Sequence, residues 1–195
     1  MTTLRQDADN IIKACIAAVL PDEAVWRALA DLERPAGRVI LVAAGKAAWQ
    51  MAKTAAEVIK ADDGIVITKY GHVQAEIPGI RCMEAGHPVP DQNSFDAAAE
   101  ALKLVEGLTA DDLVIFLLSG GGSALFESPL IPGEELQDIT SQLLASGADI
   151  VEMNTIRKRL SAVKGGKFAV LCSPAKIYSI VPKSQETSFT AVFPS

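Results

Sequence analysis

Six consecutive apolar residues, Leu113–Leu118, run without interruption into three glycines flanked by serines at positions 119–123. A strand that is apolar at every position fits a sheet covered by helices on both faces, because a sheet with one face in water shows alternating polar residues. The segment 39–42, Val-Ile-Leu-Val, is a second run of this type. These runs favour a layered α/β architecture.

Strands and helices are predicted to alternate along the chain. Strands are expected at 38–44, 65–68, 80–84, 113–118 and 175–181. Apolar residues at helical spacing predict helices at 8–20, 22–32, 46–60, 94–107, 134–145 and 149–163. Because parallel strands need helical crossovers, we expect a Rossmann-like three-layer α/β/α fold with a mostly parallel sheet. Ligands then bind beyond the carboxyl ends of the strands.

Several local details of the helices follow from the same pattern. The first helix is expected to bury one face, Asp22 to cap the second helix, and Asn93 or Ser94 to cap the helix at 94–107. The helix at 134–145 should close at Gly147 and the next one at Gly165 and Gly166. The helix at 149–163 is expected to bury the apolar residues Met153, Ile156, Leu160 and Val163.

Charge and cysteine content exclude several classes of function. The net charge of −6 argues against nucleic acid or an acidic membrane as a partner. Cys15, Cys82 and Cys172 are odd in number and widely spaced, which indicates neither a disulfide framework nor a zinc site. No segment resembles a signal peptide or a membrane span, so we expect a cytoplasmic protein.

Two turns after apolar strands are candidate ligand sites. The glycines at 120–122 allow positive φ and let backbone N–H groups approach a phosphate or carboxylate, and three of them are more than packing alone requires. Lys46 follows the first strand at the predicted opening of a helix. A cation is disfavoured there by the helix dipole, so its position favours a functional role.

Two further segments are weaker candidates. Between Glu152 and Lys183 seven Lys and Arg residues accompany the single acid Glu152, which suits a phosphorylated ligand but equally a solvated helix face. His87 and Asp91 lie in a loop stiffened by two prolines. A lone loop histidine is more often structural than catalytic.

Familiar nucleotide and hydrolase motifs do not fit. A Walker A loop requires Gly at the place of Ile40 and Ser or Thr at the place of Ala47. The turn after the first strand contains a single glycine, so the dinucleotide fingerprint is missing. Leu125 stands where a hydrolase elbow around Ser123 needs its second glycine.

Four segments taken together resemble the class II glycerate 2-kinases, whose members are often labelled hydroxypyruvate reductases and carry a C-terminal MOFRL domain. These segments are Ala-Gly-Lys-Ala-Ala at 44–48, Gly-His-Pro-Val-Pro-Asp at 86–91, Leu-Ser-Gly-Gly-Gly-Ser-Ala-Leu at 118–125, and Asn-Thr-Ile-Arg-Lys-Arg-Leu-Ser-Ala-Val-Lys-Gly-Gly-Lys at 154–167. They occur in the family's order, and the resemblance extends over about residues 7–180.

The resemblance implies phosphoryl transfer from ATP, with Mg²⁺, to the 2-hydroxyl of D-glycerate. Lys46 matches the lysine to which the family assigns a catalytic role. His87 and Asp91 are further candidates, and no metal ligand is assigned. The residues expected to bind phosphate or substrate are Ser119, Gly120, Gly121, Gly122, Ser123, Asn154, Arg157 and Lys164.

The chain departs from the family's pattern near Val181. Residues 1–180 are expected to form a partial N-terminal lobe and residues 181–195 a divergent tail, without the C-terminal MOFRL domain. We therefore expect a truncated or frame-shifted product that has negligible activity alone and exposes a sheet edge, which favours self-association into a homo-oligomer. The alternative functions are a hydroxypyruvate reductase dependent on NAD(P)H and a non-catalytic anion-binding fragment.

Overall fold

The computed structural model describes residues 3–181 and 189–193. The strands are β1 (Val39–Ala44), β2 (Asp63–Lys69), β3 (Ile80–Ala85), β4 (Leu113–Leu118), β5 (Lys176–Val181) and β6 (Phe189–Phe193). The helices are α1 (Leu4–Val19), α2 (Asp22–Ala30), α3 (Ala48–Val58), α4 (Gln92–Val105), α5 (Gly122–Leu125), α6 (Gly133–Ala145), α7 (Ile150–Arg159) and α8 (Lys167–Leu171).

The strands form one sheet in the order β3-β2-β1-β4-β5-β6. The first five strands run parallel, and β6 pairs with β5 in the antiparallel direction. The predicted α/β fold with a mostly parallel sheet is therefore confirmed. The strand order reverses between β1 and β4, and the crevice outside such a reversal is where open α/β sheets bind ligands.

Helices cover both faces of this sheet. Alternate residues of β1 enter two separate cores: Ile40 and Val42 pack on the α4 side, while Val39 and Leu41 pack on the α2 and α3 side. All six residues of β1 are buried, as the continuous apolar run predicts. The alanines of α4 let that helix lie close to the sheet.

The first helix differs from the prediction in its burial. Helix α1 forms, but Ile11, Ile12 and Ile16 are 64%, 56% and 56% exposed. The prediction of a buried face was wrong because helical spacing identifies an apolar face without identifying a partner for it. Among the described residues, no helix is long and apolar enough to cross a membrane.

The predicted N-caps of α2 and α4 were wrong. The N-cap of α4 is Asp91, whose carboxylate accepts the Ser94 N–H in a capping box. Pro21 precedes α2, so Asp22 is the first helical residue, and its carboxylate accepts hydrogen bonds from Gln50 and Thr54 instead. At α4 the capping side chain thus lies two to three residues before the predicted position, and at α2 no side chain caps the helix.

The basic helix α7 ends four residues before the predicted boundary. Beyond Arg159 the backbone pairs with a neighbouring segment: the Leu130 N–H donates to the Leu160 carbonyl at 2.9 Å and the Ala162 N–H to the Ser128 carbonyl at 2.8 Å. These bonds replace helical ones. The predicted buried face of this helix is also wrong, because Ile156 is 41% exposed and Val163, which is buried, lies outside the helix.

The predicted tail at 181–195 is described in part. Val181 ends β5, and residues 189–193 form β6 along the edge of β5. This strand covers an edge that was expected to be exposed. Residues 182–188, 194 and 195 lie outside the described residues.

Candidate functional site

Two turns meet at the carboxyl edge of the sheet, where β1 and β4 lie side by side. Ala44 at the end of β1 is in register with Leu118 at the end of β4. The turn after β1 contains Gly45 and Lys46, and the turn after β4, residues 119–123, is called the glycine turn below. The sheet order thus brings together two segments separated by more than seventy positions.

Hydrogen bonds fix these two turns to each other. The Ala47 N–H donates to the Ser119 hydroxyl at 3.0 Å, and the Lys46 N–H donates to the Gly120 carbonyl at 2.8 Å. The sequence predicts Ser119 as a ligand contact, and the structure places its hydroxyl between the turns, where it holds the backbone of Lys46. The side chain of Ser123, by contrast, is exposed.

Gly45 is required by the close approach of these turns. Its φ is +127°, and a Cβ atom there would lie 2.2 Å from the Ser119 hydroxyl and 2.6 Å from the Ser119 carbonyl oxygen. The Thr68 hydroxyl donates to the Gly45 carbonyl at 2.9 Å and adds a contact from β2. Any other residue at this position would push β1 and β4 apart.

The glycine turn leaves several backbone donors unused. Within the described part of the chain, the N–H groups of Gly120, Gly121 and Ser123 have no hydrogen-bond acceptor. Gly121 has a φ of +87°, and a Cβ atom there would lie 2.8 Å from the His87 ring. Successive free N–H groups in such a turn form a concave site for an anion.

Positive charge surrounds the free N–H groups. Lys46 is exposed, and no carboxylate of a described residue lies within ion-pairing distance of it. Burial lowers the pKa of His87 from its ordinary value of 6.5, and the nearby charges of Lys46, Lys69 and Arg157 lower it further. His87 is therefore neutral at pH 7, and the local field favours an anion.

The loop that carries His87 is held by Asp91. Besides capping α4, the Asp91 carboxylate accepts a hydrogen bond from the Tyr70 hydroxyl at 2.6 Å. Burial opposes its ionisation, but the bonds from Tyr70, the Gly86 backbone and Ser94 outweigh burial and lower the Asp91 pKa from 3.8. The Asp91 carboxylate thus forms hydrogen bonds within the loop. Its role at the site is to position His87.

Arg157 reaches the glycine turn from α7. Its guanidinium donates to the Ser123 carbonyl at 2.9 Å, and its Nε atom is buried without an acceptor among the described residues. Burial lowers the pKa of Arg157 from its ordinary value, while the charge of Glu127 opposes that shift. Arg157 therefore contributes charge beside Ser123.

Lys164 is held by a carboxylate that the motifs do not indicate. Its ammonium group forms a short ion pair with Glu127 and donates to the Phe126 carbonyl at 3.1 Å. The two side chains are only 11% and 1% exposed. Burial lowers the Lys164 pKa below 10.5, and Glu127 opposes this shift. The single acid within the apolar segment 124–130 was the available signal for this pair.

A cavity of about 350 Å³ lies on the α5 and α8 side of the glycine turn. Its walls include the rings of Phe116, Phe126 and Phe168, whose centroids are 5.0 to 5.8 Å apart. Its polar lining comes from the predicted site residues Ser123, Asn154 and Lys164, together with Lys158 and Ser179. Asn154 thus lies at this cavity.

Comparison with known proteins places this geometry in a family. Residues 7–182 match the family model described as a domain of unknown function, DUF4147. The chain belongs to this family. A member from Thermotoga maritima, named D-glycerate 2-kinase, is 52% identical over 183 residues, which cover 92% of this chain and 43% of that protein. The resemblance to glycerate 2-kinases is therefore confirmed.

A second relative and a solved structure extend the comparison. An Agrobacterium vitis protein with the provisional name hydroxypyruvate reductase is 44% identical over 184 residues, covering 91% of this chain and 41% of that protein. The crystal structure of glycerate kinase from Thermotoga maritima matches with a TM-score of 0.82 at 52% identity, covering 90% of this chain and 43% of that one. The chain spans less than half the length of these relatives.

Proposed function

We propose that this chain supplies the glycine-turn lobe of a D-glycerate 2-kinase, which transfers a phosphoryl group from ATP to D-glycerate. The observation that carries the proposal is the position of Lys46, an ammonium group without a carboxylate partner in the described residues, beside the free N–H groups of the glycine turn. The names of the DUF4147 relatives support the same activity.

The transfer requires positive charge around the moving phosphoryl group. The bond between the γ-phosphorus and its bridging oxygen breaks, a bond to the 2-hydroxyl oxygen of D-glycerate forms, and the hydroxyl proton is released. Charge on the transferring group is stabilised by groups fixed before the reaction begins. In this proposal Lys46 and the N–H groups of Gly120, Gly121 and Ser123 provide that stabilisation.

Ser119 and Asp91 contribute by positioning. Ser119 holds the Lys46 backbone against the glycine turn, and Asp91 holds the loop of His87. His87, being neutral at pH 7, presents an imidazole that donates at one nitrogen and accepts at the other. It can therefore hydrogen-bond a hydroxy acid without adding charge.

Mg²⁺ stays an expectation from the resemblance, and no described residue is assigned to it. The described residues contain no group of three or more His, Cys, Asp or Glu side chains that could hold a metal ion. In this proposal the lobe contributes cations and backbone N–H groups. A cytoplasmic location and a homo-oligomer stay predictions.

A chimera tests the proposal. Residues 7–182 of this chain replace the matching segment of the Thermotoga maritima kinase, and ADP formation with D-glycerate is followed by a coupled assay, with ³¹P NMR to identify 2-phosphoglycerate. We expect turnover at ordinary enzyme rates, whereas the 195-residue chain alone should turn over negligibly because half a cleft positions the substrates poorly. A chimera that folds but forms no ADP would refute the proposal.

The same chimera distinguishes the alternative functions. NADH oxidation with hydroxypyruvate, without ADP formation, would support the reductase that the Agrobacterium vitis relative is provisionally named for. Binding of ATP or D-glycerate without either product would support an anion-binding role. The missing dinucleotide fingerprint argues against the reductase.

A further inference from the structure

Two groups of residues border the glycine turn. On one side lie Lys46 and His87, with Lys69 close enough to lower the His87 pKa. On the other side Gly122 and Ser123 form part of the wall of the 350 Å³ cavity. The residues named on the first side are charged or polar, whereas the cavity adds aromatic rings to its cations.

The two substrates of the proposed kinase differ in the same way. D-glycerate is a three-carbon hydroxy acid with a carboxylate and no apolar face, so the cationic side suits it. ATP joins a flat heteroaromatic base to a chain of phosphates. A base packs favourably against aromatic rings, and its edge needs a few hydrogen-bonding groups.

We propose that the cavity lined by Phe116, Phe126 and Phe168 binds the adenine base of ATP, an inference that rests on the proposed function. The ring triangle supplies an apolar wall, and Asn154 and Ser179 supply side chains that can donate to or accept from the edge of the base. The cavity volume lies at the lower end of the range for small-molecule sites.

The phosphates then extend from the cavity toward the glycine turn. Ser123 and Gly122 belong to both the cavity wall and the turn, so a nucleotide seated in the cavity leads directly to the free N–H groups. Lys158 lies at the cavity and Arg157 beside Ser123, which gives the phosphate chain positive charge along its path. Glycerate approaches from the Lys46 side.

Filling the cavity tests this assignment. Ala169 on α8 lines the cavity, and Val170 next to it is 74% exposed. Titration of the full chain with ATP by calorimetry should show affinity at least tenfold weaker in Ala169→Met and unchanged in Val170→Met. D-glycerate binding should be the same in both variants. Thermal melts confirm that each variant folds, and equal ATP affinity in the two would overturn the inference.

Photolabelling gives a second test that needs no variant. The chain is irradiated with 8-azido-ATP, and the modified peptide is mapped by mass spectrometry. Label on the segments that line the cavity, around Phe116, Phe126, Asn154, Phe168 or Ser179, supports the inference. Label elsewhere overturns it. If label maps to the cavity but the chimera does not phosphorylate D-glycerate, the base site stands and the proposed function fails. If the chimera is active but label maps elsewhere, the proposed function stands and the base site fails.

Discussion

Lys46 and Lys164 both belong to segments that identify the family, yet their surroundings differ sharply. Lys46 is exposed and without a carboxylate partner in the described part of the chain, whereas Lys164 is buried in an ion pair with Glu127. A buried cation needs such a partner because an uncompensated charge in the interior is costly. The comparison separates a lysine that is available to a ligand from one that is held by the fold.

The largest effect is expected from breaking the buried pair. Glu127→Gln leaves the Lys164 charge with a neutral partner, and removing one member of a buried pair costs about 3–5 kcal/mol of unfolding free energy. Denaturant unfolding measures this loss. The double variant Glu127→Gln/Lys164→Met should recover much of it, because the Lys164 charge is removed together with its partner. The part that stays lost measures the attraction between Glu127 and Arg157.

A surface pair provides the control for that measurement. Glu23 and Arg27 form an exposed ion pair on α2, so Glu23→Gln should leave the unfolding midpoint almost unchanged. A Glu127→Gln protein as stable as the Glu23→Gln protein would mean that Glu127 does not stabilise Lys164, and the contrast between the two lysines would disappear.

Removing Lys46 should affect catalysis and leave stability unchanged. In the chimera, Lys46→Met should lower kcat by about 10²–10³-fold, the loss typical of one preorganised group that stabilises transition-state charge. Lys60→Met, an exposed lysine elsewhere on the chain, is the control. Steady-state kinetics measure kcat, and a thermal melt measures stability. A large loss of stability with unchanged kcat would contradict a catalytic role of Lys46.

The glycine turn can be tested by substitutions at Gly120 and Gly121, with Gly147 outside the turn for comparison. Gly121→Ala places a methyl group against His87 and forces a residue other than glycine to a φ of +87°, which costs about 1–3 kcal/mol. Gly147→Ala creates a similar φ strain, at +73°, but its methyl group has no neighbour within 4 Å. Gly120→Ala creates neither the φ strain nor a close contact. Unfolding measurements should rank stability losses in the order Gly121, Gly147, Gly120. Equal losses at Gly121 and Gly147 would show that the His87 contact is unimportant.

The smallest effect concerns the protonation of His87. Because its folded pKa is lowered, the unfolded chain holds more protons between that pKa and 6.5, so stability rises with pH across this window. His87→Gln should flatten the rise. A histidine NMR titration should give a His87 pKa below 6.5 that increases when phosphate is added, and a value unmoved by phosphate would place the anion elsewhere.

Much of the fold is predictable from the sequence because its strongest signals are local. The apolar runs of β1 and β4 predict strands that are buried on both faces, and the strand order then brings Lys46 to the glycine turn. Two features of the structure were not predicted for the same reason: the ion pair between Glu127 and Lys164, and the end of α7. Glu127 finds Lys164 across 37 positions, and α7 ends where its backbone pairs with residues 128–130; neither contact is visible in local periodicity.

Side-chain roles at the site are harder to predict than its location. Ser119 and Asp91 are polar residues in loops at the candidate site, and their residue type alone suggests contact with a ligand. The structure shows that the Ser119 hydroxyl accepts from Ala47 and that the Asp91 carboxylate accepts from Tyr70 and Ser94. Which hydrogen bonds such side chains form depends on neighbours that only the folded chain supplies.

The bond between the Ala47 N–H and the Ser119 hydroxyl joins positions 72 residues apart. During synthesis on a ribosome, β1 emerges long before β4, so the anion site cannot assemble until the chain has been extended past Ser123. A nascent chain arrested before this point should not bind phosphate, whereas a longer one should. Phosphate affinity could therefore report the moment at which β4 enters the sheet.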